Sequence, residues 1–239
     1  TRDRRQRQMC IRDSHKPMSY KSPIEDFKYN LAMLNYDEII AGIDKFKDYD
    51  SDTLMSVVSE IGRLNELEVV DSNKIGDREG LKYLPDGPEG PEVHTPEAFK
   101  KIYEVVKDSG YVGATMPTQY GGGGAPFTTA ILAGEVGIAS NMAFYMGPGL
   151  SHGAMKTILK KATEELKDKY LPNMTSGEWM GTMCLTEPQC GTDLGLIKST
   201  AKPVDDHYEL NGQKIWISFG EHDLTAVSYT HLRAHETID

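Results

Sequence analysis

Near Ser176 the spacing of apolar residues changes from the steps of three and four that suit helices to the alternation that suits strands. No other feature constrains the fold as much. A chain that runs through helices first and strands second reads as α+β, with two regions rather than an interleaved α/β sheet.

The helical signals run from Pro23 to about Leu171. In "SDTLMSVVSEIGRLNELEVV", Leu54, Val57, Val58, Ile61 and Leu64 share one face of a helix starting near Ser51 or Asp52. In "HTPEAFKKIYEVVKDSGY", Thr95 is the expected N-cap, Pro96 opens the helix, Phe99, Ile102 and Val106 face the core, and Gly110 stops it. Apolar runs predict buried helices over 127–139 and 149–160, hydrophobic nearly all round, and a short polar helix over 163–170. Gly121 to Gly124 lack the Lys-Ser/Thr that a phosphate loop requires, so they predict a tight turn. After Ser176, "WMGTMCLT" reads as a strand. In "STAKPVDDHYELNGQKIWISFG" Asn211-Gly212 is the expected hairpin turn, with Trp216 and Ser218 on one strand face.

A hydrophobic share of 38% is enough for a packed core, and a net charge of −10 argues against a nucleic-acid surface. No run of about 18 apolar residues and no secretory leader is read, so a cytoplasmic protein without a membrane span is expected. Cys10, Cys184 and Cys190 have neither disulfide nor zinc spacing. No base is placed beside them, so Cys184 and Cys190 read as small apolar filler.

The two ends stand apart. "RRQRQMCIRD" (4–13) is what the transposase-adapter DNA CGG CAG CGT CAG ATG TGT ATA AGA GAC encodes after its first Arg, and "VSYTHLRAHET" (227–237) matches the reverse adapter. Residues 1–14 and 226–239 are therefore set aside as assembly artefacts. His231 and His235, four apart but without the metalloprotease Glu between them, are set aside with them, and no metal site is expected. What remains divides into a helical domain over 15–175 and part of a β-domain over 176–225. The chain is expected to stop inside that second domain.

In "MCLTEPQCGTD" a strand runs into a loop that offers hydroxyls and backbone donors: Thr186, a Pro-fixed corner, Gly191 with no side chain to block a ligand, then Thr192 and Asp193. Trp216 pairs a flat aromatic with the Ser218 hydroxyl. From the residues alone, a ligand loop and an ordinary strand loop beside a core Trp both stay open.

"MCLTEPQCGTD" followed by "HYELNGQKIWIS" resembles the two flavin motifs of the acyl-CoA dehydrogenases, a Thr-Glu-Pro-x-x-Gly-Ser/Thr-Asp loop and a Trp-Ile-Thr/Ser strand. "GYVGATMPTQYGGGGAP", Glu135 and "NMAFYMGPGLSHGA" extend the resemblance through the helical domain. "YKSPIEDFKYNL", "SGEWMGTMCLTEP" and "SFGEHDLT" are similar to the 3-methylmercaptopropionyl-CoA dehydrogenase branch, although Ser22 and Tyr29 replace its usual Ala and Phe.

The resemblance implies a helical domain followed by a β-barrel or sandwich-like middle domain, with a C-terminal helical domain missing. It implies FAD as cofactor, with Met183, Leu185 and Thr186 along the flavin's pyrimidine edge. Gly191 and Thr192 would lie by the pyrophosphate, Thr192 also by the substrate's pantetheine arm, and Trp216, Ile217 and Ser218 against the ring. It further implies an acyl-CoA substrate, possible sulfur in its chain, and electron-transfer flavoprotein as acceptor. The whole enzyme would be a homodimer or homotetramer. The reaction would be α-proton abstraction with hydride transfer from the β-carbon, giving a trans-2-enoyl-CoA, by a Glu base outside this chain. The 239-residue chain alone is then expected to hold little FAD and turn nothing over.

Glu135 is read as a buried, paired acid and Glu187 as an acceptor that shapes its loop. His152 and His207 read as ordinary residues of a turn and a strand. An oxidase or flavin monooxygenase on the same scaffold, or a non-catalytic helical binding module, remain as alternatives.

Overall fold

A computed structural model describes residues 20–87 and 90–225, so both proposed adapter segments, Cys10, His231 and His235 lie outside the described residues. Helices α1 (Ile24–Met33), α2 (Tyr36–Ala41), α3 (Ser51–Leu64) and α4 (Val70–Glu79) come first. The hairpin β1 (Lys82–Gly87) and β2 (Gly90–His94) follows, then α5 (Glu97–Asp108), α6 (Phe127–Lys161) and α7 (Glu164–Ser176). The last elements are β3 (Thr200–Val204) and β4 (His207–Asn211).

Helix α3 starts where expected. Asp50 caps it by accepting the Thr53 N–H at 2.8 Å, and Leu54, Met55, Val58 and Ile61 are buried. Met55 takes the place expected for Val57, which is exposed. In α5, Phe99, Ile102 and Val106 are buried as predicted. The residue that caps it is Pro96 rather than Thr95, whose polar groups turn elsewhere. The Gly121–Gly124 segment is the tight turn the sequence predicts. The Gly122, Gly123 and Gly124 N–H groups donate to the carbonyls of Pro117, Gly113 and Met116 at 3.1, 3.1 and 2.9 Å, which leaves none for a phosphate.

The two helices expected over 127–139 and 149–160 are one, α6, bent at Asn141 (φ −157°, ψ 89°). Side chains cause the bend to persist: Asn141 Oδ1 accepts the freed Phe144 N–H at 3.1 Å, while its Nδ2 donates to Ser72 Oγ at 2.8 Å. Directly before Asn141 in the chain, Ser140 Oγ donates to Asn65 Oδ1 at 2.7 Å. Asn65 itself opens the wide turn Asn65–Val69 that joins α3 to α4. Both irregularities therefore meet at one buried polar seam.

Helix α6 is long and apolar enough to cross a membrane by length and composition, where the sequence reading found no span. Its packing is that of a bundle's central helix, because its buried face carries Ser140, Asn141 and Ser151, all hydrogen-bonded to other parts of the protein. Nor is it buried all round, since Ile131, Ile138 and Met142 are exposed. Helix α7 is longer than the expected 163–170, running to Ser176 before Gly177 (φ 83°) ends it.

Two strand expectations shift. The hairpin β1–β2 lies inside the region read as helical. The second hairpin turns at Asp205 and Asp206, not at Asn211-Gly212, with Val204 paired to His207 and Thr200 to Asn211. Gly212 serves a close approach instead: a Cβ there would meet Ser199 Oγ at 2.0 Å. Residues 180–186 and 212–217 are extended or irregular and form no ladder among the described residues, so "WMGTMCLT" and "KIWIS" are not strands here.

Candidate functional site

The turn that begins at Thr186 is organised by Glu187, buried at 3% exposure. Its carboxylate accepts the Lys198 N–H at 2.8 Å and the Ser199 N–H at 3.1 Å, and meets Lys214 Nζ at 2.8 Å. Gln189 Nε2 donates to it as well. The Lys214 ammonium, followed by the Ser199, Lys198 and Gln189 donors, holds the carboxyl far below the usual carboxylate range. Glu187 is therefore the loop-shaping acceptor expected from the sequence. Short antiparallel bonds between Glu187 and Cys190, at 2.8 and 3.0 Å, close the turn.

Around this hub the two motifs come together. The Ile215 N–H donates to the Thr186 carbonyl at 2.9 Å, Lys214 reaches the Leu185 carbonyl at 3.1 Å, and Thr182 Oγ1 donates to the Ser218 carbonyl. Met183, Leu185 and Thr186 thus lie beside Trp216, Ile217 and Ser218. Gly191 also sits near, because a Cβ on it would stand 3.6 Å from Thr186 Cγ2, an ordinary contact. Protein packing does not require glycine there. Thr192 is exposed next to it, and Asp193 caps the short turn Leu194–Leu196 by accepting the Gly195 N–H at 3.1 Å.

Trp216 is 81% exposed, with a left-handed backbone (φ 58°), and so is no core residue. Ile217 and Leu185 are half-buried, and Met183 and Ser218 are exposed. Among the described residues, the hydroxyls of Thr186, Thr192 and Ser218 make no hydrogen bond, which leaves three donors free at one edge.

Behind that edge an apolar cleft of about 840 Å³ opens between α6, α7 and residues 179–184. Gly149, Gly153 and Ala154 form its helical floor, buried Met180 lines it from within, and the more exposed Thr182 and Met183 lie at its rim. The floor is open because no atom stands within 4 Å of where a Cβ on Gly149 or Gly153 would be.

The other expected residues fall away from this site or change character. Glu135 is exposed on α6 rather than a buried, paired acid, since it occupies the solvent side of the helix beside buried Val136 and Gly137. His152 is on α6 rather than in a turn; its Nε2 shares a 2.8 Å hydrogen bond with Thr115 Oγ1, and burial, then Lys156, lowers its pKa. His207 is exposed on β4 beside Asp206. Cys190 is buried and Cys184 half-buried. No cluster of metal-ligating side chains exists among the described residues.

Sequence reasoning missed Lys214, Thr182 and Asp223. A lysine two places before Trp216, inside an apolar run, is the signal that could have found the first. The other two show only in three dimensions.

Residues 88–178 match the acyl-CoA dehydrogenase N-terminal domain, and residues 182–238 match the acyl-CoA dehydrogenase middle domain. That second match takes in 226–238, part of the segment set aside as adapter. The chain is 32% identical over 223 residues to 3-methylmercaptopropionyl-CoA dehydrogenase of Ruegeria pomeroyi, covering 93% of this chain and 37% of that one. A glutaryl-coenzyme A dehydrogenase solved with glutaryl-CoA superposes at a TM-score of 0.57 with 29% identity, over 70% of this chain and 39% of its own. An acyl-CoA dehydrogenase from Bacillus anthracis, solved with FAD, shares the fold at a TM-score of 0.56 and 24% identity, over 72% of this chain and 27% of its own. The chain spans little more than a third of the length of the curated relatives it matches.

Proposed function

Because this chain belongs to the acyl-CoA dehydrogenase family, we propose that the whole protein oxidises an acyl-CoA thioester to its trans-2-enoyl-CoA, with this chain supplying the acyl cleft and one edge of a flavin site. The observation that carries this reading is the adjacency of two unlike surfaces. The apolar cleft shares Thr182 and Met183 with the polar edge built from Thr186, Trp216 and Ser218.

The donor set fits FAD. Free hydroxyls on Thr186, Thr192 and Ser218 suit a pyrimidine edge and a pyrophosphate, Met183, Leu185 and Ile217 offer apolar flank, and the exposed Trp216 offers a planar face. FAD, when bound, accepts the hydride from the β-carbon. The residues of this chain do the rest of their part by placement. The cleft takes the acyl tail out of water, and Met183 at its rim limits solvent at the reacting end. Thr192, exposed beside Gly191, is the residue assigned to the pantetheine arm.

Neither acid singled out in the sequence suits the α-proton. A base works best with a pKa near the working pH, and Glu187, locked by Lys214 and two backbone N–H groups, is a permanently ionised acceptor. Glu135 stands on the solvent face of α6. The base is assigned to the part of the protein outside this chain.

The 3-methylmercaptopropionyl-CoA thioester is the first substrate to try, given the relative with 32% identity. The test is anaerobic addition of that thioester, and of butyryl-CoA and isovaleryl-CoA, to the full-length flavoprotein. Bleaching of the flavin with enoyl-CoA formation supports the reading. A protein that retains FAD and leaves every thioester unoxidised overturns it, and oxygen consumption with hydrogen peroxide release would favour the oxidase alternative.

A further inference from the structure

The segment after Trp216–Ser218 leaves the β region and plugs into the helices. Leu224 is buried in the core cluster of Phe99, Phe144 and Met180, with Phe219 packed against it. Gly147 on α6 makes the room, because a Cβ there would lie 2.7 Å from the Phe219 ring. His222, also buried, meets the Phe219 ring edge-on at 5.8 Å and accepts the Leu224 N–H at 3.2 Å.

Between these apolar anchors, Asp223 turns its carboxylate onto the start of α5. It accepts from the Thr95 N–H at 2.9 Å and from Thr95 Oγ1 at 2.6 Å, and Lys100 Nζ lies 2.8 Å away. His94 Nδ1 stands at 3.2 Å. A carboxylate just ahead of a helix N-terminus, beside a lysine one turn in, is held by the Thr95 donors, the helix dipole and a full charge together.

The loop just before this plug needs restraint. Trp216 (φ 58°) and Phe219 (φ 55°) both hold left-handed backbones that side-chain-bearing residues abandon unless the surroundings enforce them. Trp216 is 81% exposed, so its own packing does not enforce anything. One side of the loop is held by Ile215 on Thr186 and by Thr182 on Ser218. On the other side, among the described residues, the plug holds it.

We propose that Asp223 is a positioning residue: by clamping the plug to Thr95 and Lys100 it fixes Trp216–Ser218, and with them one edge of the flavin site, against the helical wall of the acyl cleft. The flavin half of this inference rests on the proposed function, whereas the clamp rests on geometry alone.

The 239-residue chain tests it in a W179F background, where Trp216 is the sole tryptophan of a sequence that has two. The clamp predicts that D223A and T95V lower Trp216 fluorescence anisotropy and speed amide exchange at Ile215 to Ser218 by about tenfold. D223N, which keeps an acceptor for Thr95, restores most of both. Exchange and anisotropy that stay at wild-type values in D223A and T95V, while 219–224 loosen, overturn the proposal. Should D223A fail to fold, T95V decides alone, since it removes one hydroxyl and leaves the plug intact. The flavin half is read separately, in the full-length protein. Weaker FAD binding in T95V supports it, unchanged binding overturns it, and a wild-type protein that binds no FAD overturns the proposed function while the exchange data still judge the clamp.

Discussion

Lys214 Nζ lies 2.8 Å from Glu187 Oε1 and 3.1 Å from the Leu185 carbonyl oxygen, so one side chain joins the loop after Leu185 to the segment that carries Trp216. Removing one member of a buried pair is worse than leaving both, because the remaining charge keeps its desolvation without its partner. K214M is therefore expected to lower the melting temperature and to unprotect the Lys198 and Ser199 amides. The sign with pH follows from a carboxyl whose folded pKa is depressed. Its contribution is present above the unfolded value and is lost as pH falls toward the folded one. K214M should show a shallower acid loss than the wild type, measured by urea melts through the carboxylate range.

His222 gives a second pH dependence with the opposite chemistry. Burial first, offset only partly by Asp223, lowers its pKa to about 4 from an ordinary 6.5. The folded protein keeps it neutral while the unfolded chain takes a proton, so stability falls as pH drops from about 6.5 to about 4. Near pH 5 the loss is about 2 kcal/mol by the usual conversion. H222N, which can still accept the Leu224 N–H, should flatten this slope. Asp223 does not interfere in that window: burial raises its carboxyl, but Lys100 and the two Thr95 donors outweigh that and hold it at about 2.

The seam between α3, α4 and α6 offers a test of the bend. N141A leaves the Phe144 N–H and the Ser72 hydroxyl without their partners in a buried setting. The cost is about 2–3 kcal/mol, read as a lower urea midpoint at unchanged m-value.

How much of this was legible in the sequence depends on what each residue answers to. Phe99, Ile102 and Val106 repeat along one helix, and their period alone places them in the core. Gly121–Gly124 read correctly because glycine clusters without Lys-Ser/Thr leave few alternatives. The hairpin turn did not: Asn211-Gly212 carries the stronger local turn signal, yet close approach to Ser199 claims Gly212, and the chain turns at Asp205-Asp206 instead. Asn141 was missed as a bend because its cause is Ser72, distant in sequence. The site motifs were legible as motifs, whereas the Lys214 and Asp223 tethers that hold them are long-range pairings that no local window contains.

Gly122 illustrates a glycine needed for space rather than for its backbone angle. A Cβ there would sit 2.1 Å from the Met116 carbonyl oxygen, which also accepts the Gly124 N–H. G122A must displace backbone, not a flexible side chain, at about 2–3 kcal/mol. Differential scanning calorimetry should show the drop, and a near-wild-type melt would mean the turn can relax.

Gly153 differs from Gly122 in direction, and so separates stability from function. No atom lies within 4 Å of its missing Cβ, which would point into open space on a helix whose floor lines the cleft. Glycine inside a helix costs about 0.5–1 kcal/mol relative to alanine, so G153A should stabilise the fold by roughly that amount. G153L keeps the helical gain but fills part of the 840 Å³ cleft. If the acyl tail lies there, the full-length G153L enzyme should melt no lower than wild type yet lose kcat/KM for long acyl-CoA far more than for short. A uniform loss across chain lengths would place the tail elsewhere, and no loss at all would remove the cleft from substrate binding.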